Sequence, residues 1–585
     1  MKLHRKISLI ITTAAMLIFG SCKKILEENP KSQLAPVFLT TSNGLLQAIT
    51  GVYNDLRGSY GTEGFELGLW AGTDEMIRGS QNGDNGVWTA YNGLNGLSTS
   101  GGFNVWYQDI NTLNGVLQYG PASGLPAATL NQYLGQAKFL RAFCYYYLIT
   151  TYGNVPLHLT FNTKAVSSDA PADPADVYKA IIQDLTDAST LLPPTITAPF
   201  LGKAATAPAA LFLLSKVYLT RGWTATNGQK NVAVASDFQN AYNTATTLIN
   251  NAATYGLGLW QDYGDTYAMA NDYGKEVLFV SDHDNNVQFG QFVTGASGGA
   301  AQNTLPNLFR WNYVSALGVN SSAGVPQVSS GPGCMVRDIP NGRPYTRGAP
   351  TLAYTIQHAF AEQVNDSRYS KTFQTWWICN TACTSARGVL TVGVDTGILM
   401  PGVEVSLARR NAFKGVICTP SQYNNNVFPT VKKFDDLTRS TPNDPSTRPY
   451  AILRFTEAYF VAAEAALELG DQTDAAKYLN IIRERAAYRT SNTPAQNTAA
   501  AAAMDVLPAQ VNIDLILDEY TREFYGDPRR WYDLVRTGQL LRRVGLWNQE
   551  ANANIKPFDI LRPIPQDEIN AVLAGPAYPQ NPGYH

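Results

Sequence analysis

Charge is scarce in this 585-residue chain: Asp, Glu, Lys and Arg together make 15% of it, against about 25% in an ordinary soluble protein. What charge there is does not lean basic. The formal net charge is −2, and losing Lys2, Arg5 and Lys6 with an N-terminal leader leaves 41 basic against 46 acidic residues. That excludes the basic excess on which sequence-independent attraction to nucleic-acid phosphates depends. Histidine is rarer still. His158, His283, His358 and His585 lie beyond the leader, too scattered to suggest a catalytic zinc site. No phosphate-binding glycine loop or dinucleotide fingerprint appears, and adjacent acids such as Asp435-Asp436 do not supply the facing carboxylates of glycoside hydrolysis.

Cysteine is also sparse, at six. Cys22 ends the run Leu17-Ile18-Phe19-Gly20-Ser21-Cys22, behind an apolar stretch from Ile7 and the basic residues Lys2, Arg5 and Lys6. The apolar run is short and terminal, which favours a leader over a membrane span. The pattern resembles a bacterial lipoprotein signal, which implies cleavage of residues 1–21 and lipid on Cys22. Cys144 falls on an apolar helical face and reads as a free core thiol. Cys334, Cys379, Cys383 and Cys418 remain, and an oxidising location permits pairing. The closeness of Cys379 and Cys383 suggests a small local bridge, but sequence does not choose among the pairings.

What is plentiful is aromatic and amide side chains. Aromatics reach 11%, with 31 Tyr and 10 Trp. A sugar ring has a C–H face that Trp or Tyr can cover and a rim of hydroxyls that Asn, Asp and Arg can bond. Two loop-like stretches hold this mixture. One contains Trp70, Asp74, Arg78, Asn82, Trp88, Tyr91, Asn92 and Asn95; the other contains Trp260, Tyr263, Tyr267, Tyr273, Trp311 and Tyr313.

Along the chain, residues 22–36 form a charged tether interrupted by Pro30 and Pro36. Apolar residues then recur at helical spacing: Leu45, Leu46, Ile49, Val52, Tyr53 and Leu56; Phe103 to Leu117; Leu134, Ala137, Leu140, Phe143, Cys144, Tyr147 and Leu148. Residues 57–102 read as loop. Further helices are expected over Val177–Leu191, Ala205–Leu219 and Phe238–Ala252. Small residues at Ala204, Ala205, Ala209 and Ala210 resemble the close helix packing of tetratricopeptide repeats. Residues 257–450 lose that period and form a loop-rich insert, with Glu276–Ser281 reading as a strand. Helices return at Leu453–Leu469, Thr473–Ala487 and Asn512–Tyr525, and the chain from Lys556 reads as extended.

The final third carries a specific succession. Arg454-Phe455-Thr456-Glu457-Ala458-Tyr459 leads to Ala463-Glu464-Ala465 and Gly470, then Arg483-Glu484-Arg485-Ala486. Glu519, Arg522-Glu523-Phe524, Arg530-Trp531-Tyr532-Asp533-Leu534-Val535-Arg536-Thr537-Gly538 and Gln580-Asn581-Pro582-Gly583-Tyr584 complete it. Upstream, Phe139-Leu140-Arg141-Ala142 and Tyr152-Gly153-Asn154-Val155-Pro156 agree. Together these resemble the SusD/RagB family of outer-membrane nutrient-binding lipoproteins, over nearly the whole mature chain except about 285–430. Tyr520 and Asp527-Pro528 depart from the family pattern, away from any ligand region.

The resemblance implies a mainly α, tetratricopeptide-repeat-like scaffold over 37–585, as a single domain. Residues 37–256 would form the N-terminal repeats, 257–450 the insert bearing the ligand face, and 451–585 the C-terminal helical part. It implies an oligosaccharide ligand, no catalysis and no cofactor, and lipid anchoring at Cys22 on the outer face of the outer membrane. It also implies a TonB-dependent SusC-like barrel transporter that the protein caps. Its ligand site draws on a loop aromatic after the first helices and on aromatics of the insert. Trp88 and Trp311 are therefore the stacking candidates, with Tyr273 and Tyr313 beside them; Arg78, Asn92 and Asn95 are the hydrogen-bonding candidates. Peptide binding, known in the family, is the alternative on the same scaffold. A surface glycoside hydrolase or a purely structural envelope protein are rivals from other classes.

Two motifs invite chemistry and carry little. Gly295-Ala296-Ser297-Gly298-Gly299 matches a nucleophile pattern but lacks the strand-to-helix context that exposes such a serine. Asp262, Asp265, Asp272 and Asp282-His283-Asp284 could offer oxygens to calcium, but not in the spacing of a calcium loop. Glu519 and Glu523, one turn apart, read as ion-pair partners for Arg522, Arg530 or Arg536, with Trp531 as an apolar anchor.

Overall fold

A computed structural model describes residues 36–584 apart from 85, 99–101, 165–166, 196–202, 285–302, 315–316, 320–325, 329–334, 386 and 528. The leader, Cys22, Cys334 and the Gly295–Gly299 motif lie outside the described residues. The helices that build the scaffold begin with α1 (Ser42–Asp55), α2 (Glu63–Trp70), α3 (Gly102–Tyr119), α4 (Ala127–Tyr152), α5 (Pro174–Leu191) and α6 (Ala207–Trp223). The array continues with α7 (Asp237–Asn250), α8 (Thr456–Glu468), α9 (Gln472–Ala486), α10 (Ile513–Phe524) and α11 (Arg530–Arg536). Short strands lie between and beside them: β1 (Met76–Arg78), β2 (Val277–Ser281), β3 (Phe373–Gln374) and β4 (Trp376–Ile378), then β5 (Thr396–Leu399), β6 (Val416–Ile417), β7 (Thr430–Val431) and β8 (Tyr450–Arg454). No helix among the described residues is long and apolar enough to cross a membrane.

Helix starts obey local chemistry. Asp173 accepts from the Ala175 amide ahead of Pro174, and Thr206 accepts from the Ala209 amide ahead of Pro208. Each cap satisfies an orphan N–H where proline supplies a preset φ. Successive helices from α3 to α9 pack on their neighbours, as stacked helix pairs do. Small residues set the spacing: Ala209 and Ala210 are fully buried, and a Cβ on Gly222 of α6 would meet the Phe238 ring at 2.9 Å. Arg141 of α4 joins three helices, donating to Asp184 of α5 at 2.7 and 2.9 Å and to Asn114 of α3 at 2.7 Å.

The array runs through the insert's point of departure. α7 packs directly on α8, although some two hundred residues separate them. Strand β2 near the insert's start pairs antiparallel with β8 at its end. Glu276, 1% exposed, fastens this neck: it accepts from the Trp260 amide at 2.6 Å, Thr456 at 2.7 Å and Arg485 of α9 at 3.0 Å.

Arg368, in the insert and fully buried, continues the ionic bridge. It donates to Asp366 and to Glu519 of α10 at 2.6 and 2.5 Å, and to Glu523 at 3.3 Å. Glu519 also takes Arg522 at 2.7 Å and Arg483. Arg530 and Arg536 do not join it. Arg530 binds Asp74 at 2.7 Å and Arg536 binds Glu464. Trp531 is fully buried, as an anchor should be.

The structure departs from the sequence reading in four places. Residues 57–102 are not all loop: α2 and β1 lie there, hidden by Gly64 and Gly68 and held by buried Leu67 and Trp70. Leu453 and Arg454 belong to β8 rather than to the helix after it. Residues 494–504 and 540–547 are helical although the sequence pattern does not mark them, and α11 comes after α10 as a separate turn of chain. Beyond Lys556 the chain still makes short helices at Pro557–Ile560 and Gln566–Ala571.

Burial alone would raise the carboxyls of Glu519 and Asp533, but the surrounding arginines outweigh it and hold both below the usual range. Such groups contribute stability that is complete above their unfolded pKa, about 4, and lost as pH falls through their depressed folded values. Acid unfolding is therefore expected to set in below about pH 4. Glu519→Gln leaves three arginines short of one carboxylate, and urea unfolding at neutral pH should show a loss of about 3–5 kcal/mol.

Candidate functional site

The insert carries a small three-stranded sheet, ordered β6, β5, β4, with β3 paired to β7 beside it. Side chains alternate across a strand, and Trp376 and Trp377 of β4 take opposite faces. Trp377 points inward, 1% exposed, with its ring edge-on to Trp311 at 5.6 Å. Trp376 points outward and is 52% exposed, the only exposed member of the ten tryptophans.

Trp376 borders a hollow of about 480 Å³. Its rim is amide-rich. Gln374 donates to Asn341 at 2.7 Å and accepts from the buried Arg310 at 3.2 Å. Asn380 donates to Asp338 at 2.7 Å, and the same carboxylate accepts from the Asn341 amide nitrogens at 3.0 and 2.7 Å. Asp435 is held by Arg310; burial raises its carboxyl, with Arg310 opposing. Lys432 comes directly after β7, its backbone N–H donating to the Thr372 carbonyl at 2.9 Å, and its Nζ stands 5.7 Å from the Trp376 ring centre. Burial lowers the Lys432 ammonium from its usual value, with Asp435 opposing. A flat apolar face rimmed by fixed amides is the arrangement that a hydroxylated ring fits.

A second hollow, of about 520 Å³, lies against the N-terminal helices and shares no lining residue with the first. Aromatic rings wall it: Phe65, Trp106, Tyr147, Tyr152 and Tyr532. Trp88 lines it. The loop carrying Trp88 is pinned by Asp84, which accepts from the Gly86, Trp88 and Thr89 amides at 2.9, 3.0 and 3.1 Å. The Arg562 guanidinium lies 5.2 Å from the Trp88 ring centre.

Of the seven candidates, only Trp88 lines either hollow. Trp311 and Tyr313, expected to face ligand, are each 1% exposed. Trp311 backs Trp377, and the Tyr313 hydroxyl donates to the Gly342 carbonyl. A loop tryptophan turned into the core offers no face to a sugar; the ring that stands open beside the first hollow is Trp376. Asn95 is engaged in its own turn, accepting from Leu97 at 2.9 Å and donating to Gly93 at 3.0 Å. Arg78 donates to the Asn82 carbonyl at 3.0 Å. Asn92 is exposed, with its amide on the Gly86 carbonyl at 2.9 Å. Tyr273 is 36% exposed and bonds Asp282. Sequence reasoning passed over Trp376; a strand through the Trp376-Trp377 pair turns the two rings to opposite faces, and tertiary packing leaves Trp376 the open one.

Three of the supposed calcium ligands are otherwise engaged: Asp262 by Lys371 at 2.6 Å, Asp272 by Arg448 at 2.6 Å and Asp282 by Lys203 at 2.8 Å. Among the described residues no group of three His, Cys, Asp or Glu side chains is placed to hold a metal. The expected local bridge is corrected as well. Cys379 is a free, buried thiol directed at the Thr381 carbonyl at 3.1 Å, whereas Cys383 is disulfide-bonded; Cys144 and Cys418 are free.

A helical-repeat scaffold with an aromatic, amide-rimmed hollow on a looped-out insert defines a class of binding protein. Comparison with known proteins agrees. The family model described as "Starch-binding associating with outer membrane" matches residues 24–219, and that of the SusD family matches residues 411–584. The two models together match more than half of the chain, which belongs to the SusD/RagB family, a family of outer-membrane-associated binding proteins that includes starch and glycan binders. SusD-like protein P2 of Formosa agariphila is 26% identical over 96% of both chains, and SusD-like protein P25 of the same organism is 22% identical over 96% of this chain and 97% of its own. Among solved structures, a laminarin-binding SusD-like protein superposes with a TM-score of 0.65 at 19% identity, covering 93% of this chain and all of its own. Surface glycan-binding protein A of Bacteroides thetaiotaomicron, in complex with laminarihexaose, gives 0.61 at 18% identity, covering 92% and 99%.

The two tryptophans should part in stability measurements. Trp311→Ala opens a cavity behind Trp377 and should cost about 3–5 kcal/mol. Trp376→Ala at the surface should stay within about 0.5 kcal/mol of the parent by the same denaturant titration.

Proposed function

We propose that this protein is a cell-surface glycan-binding lipoprotein that captures oligosaccharide on the Trp376 face of its insert and passes it to a TonB-dependent SusC-like barrel. The exposed Trp376 ring, seated on a strand and rimmed by Asn341, Gln374 and Asn380, carries the reading. Stacking against C–H groups supplies apolar contact, and the amides select hydroxyls by direction. The laminarin-binding and laminarihexaose-bound relatives of the same fold support a saccharide ligand over a peptide. Delivery needs no covalent step. The Trp88 hollow is a further contact region on the N-terminal side. Lipid on Cys22 would keep the scaffold at the membrane while the tether lets it move against the barrel.

Trp376→Ala should weaken oligosaccharide binding by about 1–3 kcal/mol in calorimetry, as loss of a central aromatic contact does. Unchanged affinity, or release of reducing ends from the glycan, would remove this reading. In cells, Cys22→Ala should move the protein from the membrane to the soluble fraction; retention in the membrane would contradict the anchor.

A further inference from the structure

One cation, Lys432, lines the hollow at Trp376, and among the described residues its ammonium makes no ion pair or hydrogen bond. Two acids border the same space, and both are engaged: Asp435 by the Arg310 guanidinium, and Asp338 by amide donors from Asn341 and Asn380 on its two oxygens. Lys432 differs. Among the described residues, no carboxylate lies within ion-pair distance of its Nζ and no acceptor takes its three N–H groups; the Trp376 ring stands 5.7 Å away by centroid, and Asp435 and Lys371 act on the ammonium only through space. That distance lies near the outer limit of cation–π contact. Half-buried lysines ordinarily find a partner, because a partly desolvated ammonium without one is costly. Here the ammonium is lowered by burial yet faces a hollow wide enough for a sugar.

We infer that the site takes an acidic saccharide, one bearing a carboxylate or a sulfate on a ring that stacks on Trp376, with Lys432 as the residue that reads the charge. The inference rests on the glycan-binding reading of this hollow and narrows it to a substrate class. A hexuronate has the C–H face that the indole covers, and its carboxylate projects from the ring edge, within the sweep of the lysine's four-carbon stem. A sulfate ester presents the same charge and acceptor oxygens. Either anion would complete a charge-assisted hydrogen bond, stronger than a neutral one, and its desolvation would be offset by the cation already placed there.

Affinity electrophoresis and calorimetry on the full mature chain test this with paired polysaccharides: pectin and alginate beside their carboxyl-reduced forms, a sulfated galactan beside its desulfated form, and laminarin and starch as neutral glycans. The acidic member of at least one pair should bind about tenfold or more tightly than its neutralised form. That preference should shrink as salt rises. Loss on carboxyl reduction assigns a uronate; loss on desulfation assigns a sulfate ester. Lys432→Gln should bring the acidic-to-neutral ratio toward one, and Lys432→Arg should keep it. Trp376→Ala should lower binding of both members. Equal or tighter binding of neutral glycans, or a ratio unmoved by Lys432→Gln, overturns the acidic assignment while leaving a glycan site. No binding to any of these polysaccharides, or none affected by Trp376→Ala, overturns the glycan reading of the hollow and the inference with it.

Discussion

A line of buried charges, Glu276–Arg485–Glu523–Arg368–Asp366, joins the insert to the helical array, and the proposed ligand face hangs from it. It begins at the neck, where β2 meets β8, crosses α9 and α10, and ends in the insert itself. Each carboxylate would be disfavoured by burial if it stood alone, and each guanidinium likewise. Their mutual satisfaction fixes geometry more than it adds net stability. Arginine's planar fork serves this better than lysine would, since Arg368 meets three carboxylates at once. The same segment that holds Arg368 runs straight into the strand bearing Trp376, so the platform inherits its position from the charge line.

A second set of buried pairs works on the other flank. Asp74, at the foot of β1, receives Arg530 and Arg543, and Asp518 receives Arg543 and His358. These contacts draw the N-terminal loops, the insert and the last helices onto one side of the array. A sizeable share of the chain's few charges is thus buried, where they orient parts.

Much of the scaffold was legible because its determinants are local. The stripes over α4 to α7 mark the helices, while the caps Asp173 and Thr206 put two of the starts at Pro174 and Ala207 rather than at the expected Val177 and Ala205. α2 escaped notice because Gly64 and Gly68 mask an apolar face that only tertiary burial makes helical. The site was less legible. Whether a loop tryptophan turns in or out is decided by partners far along the chain: Trp311 is buried by Trp377, and Arg530 reaches back 456 positions to Asp74. Sequence could favour a region rich in Trp and Asn; it could not say that the outward ring would be Trp376. The family models show the same boundary, matching 24–219 and 411–584 and leaving most of the insert between them.

The neck has an evolutionary consequence. Because β2 and β8 bring the two ends of the insert side by side, and α7 already abuts α8, the helical stack is closed without what lies between. The intervening segment behaves as a cassette plugged into a fixed socket. A lineage can rewrite the cassette to suit a new polysaccharide while the socket, and whatever surface docks against the helices, stays as it was.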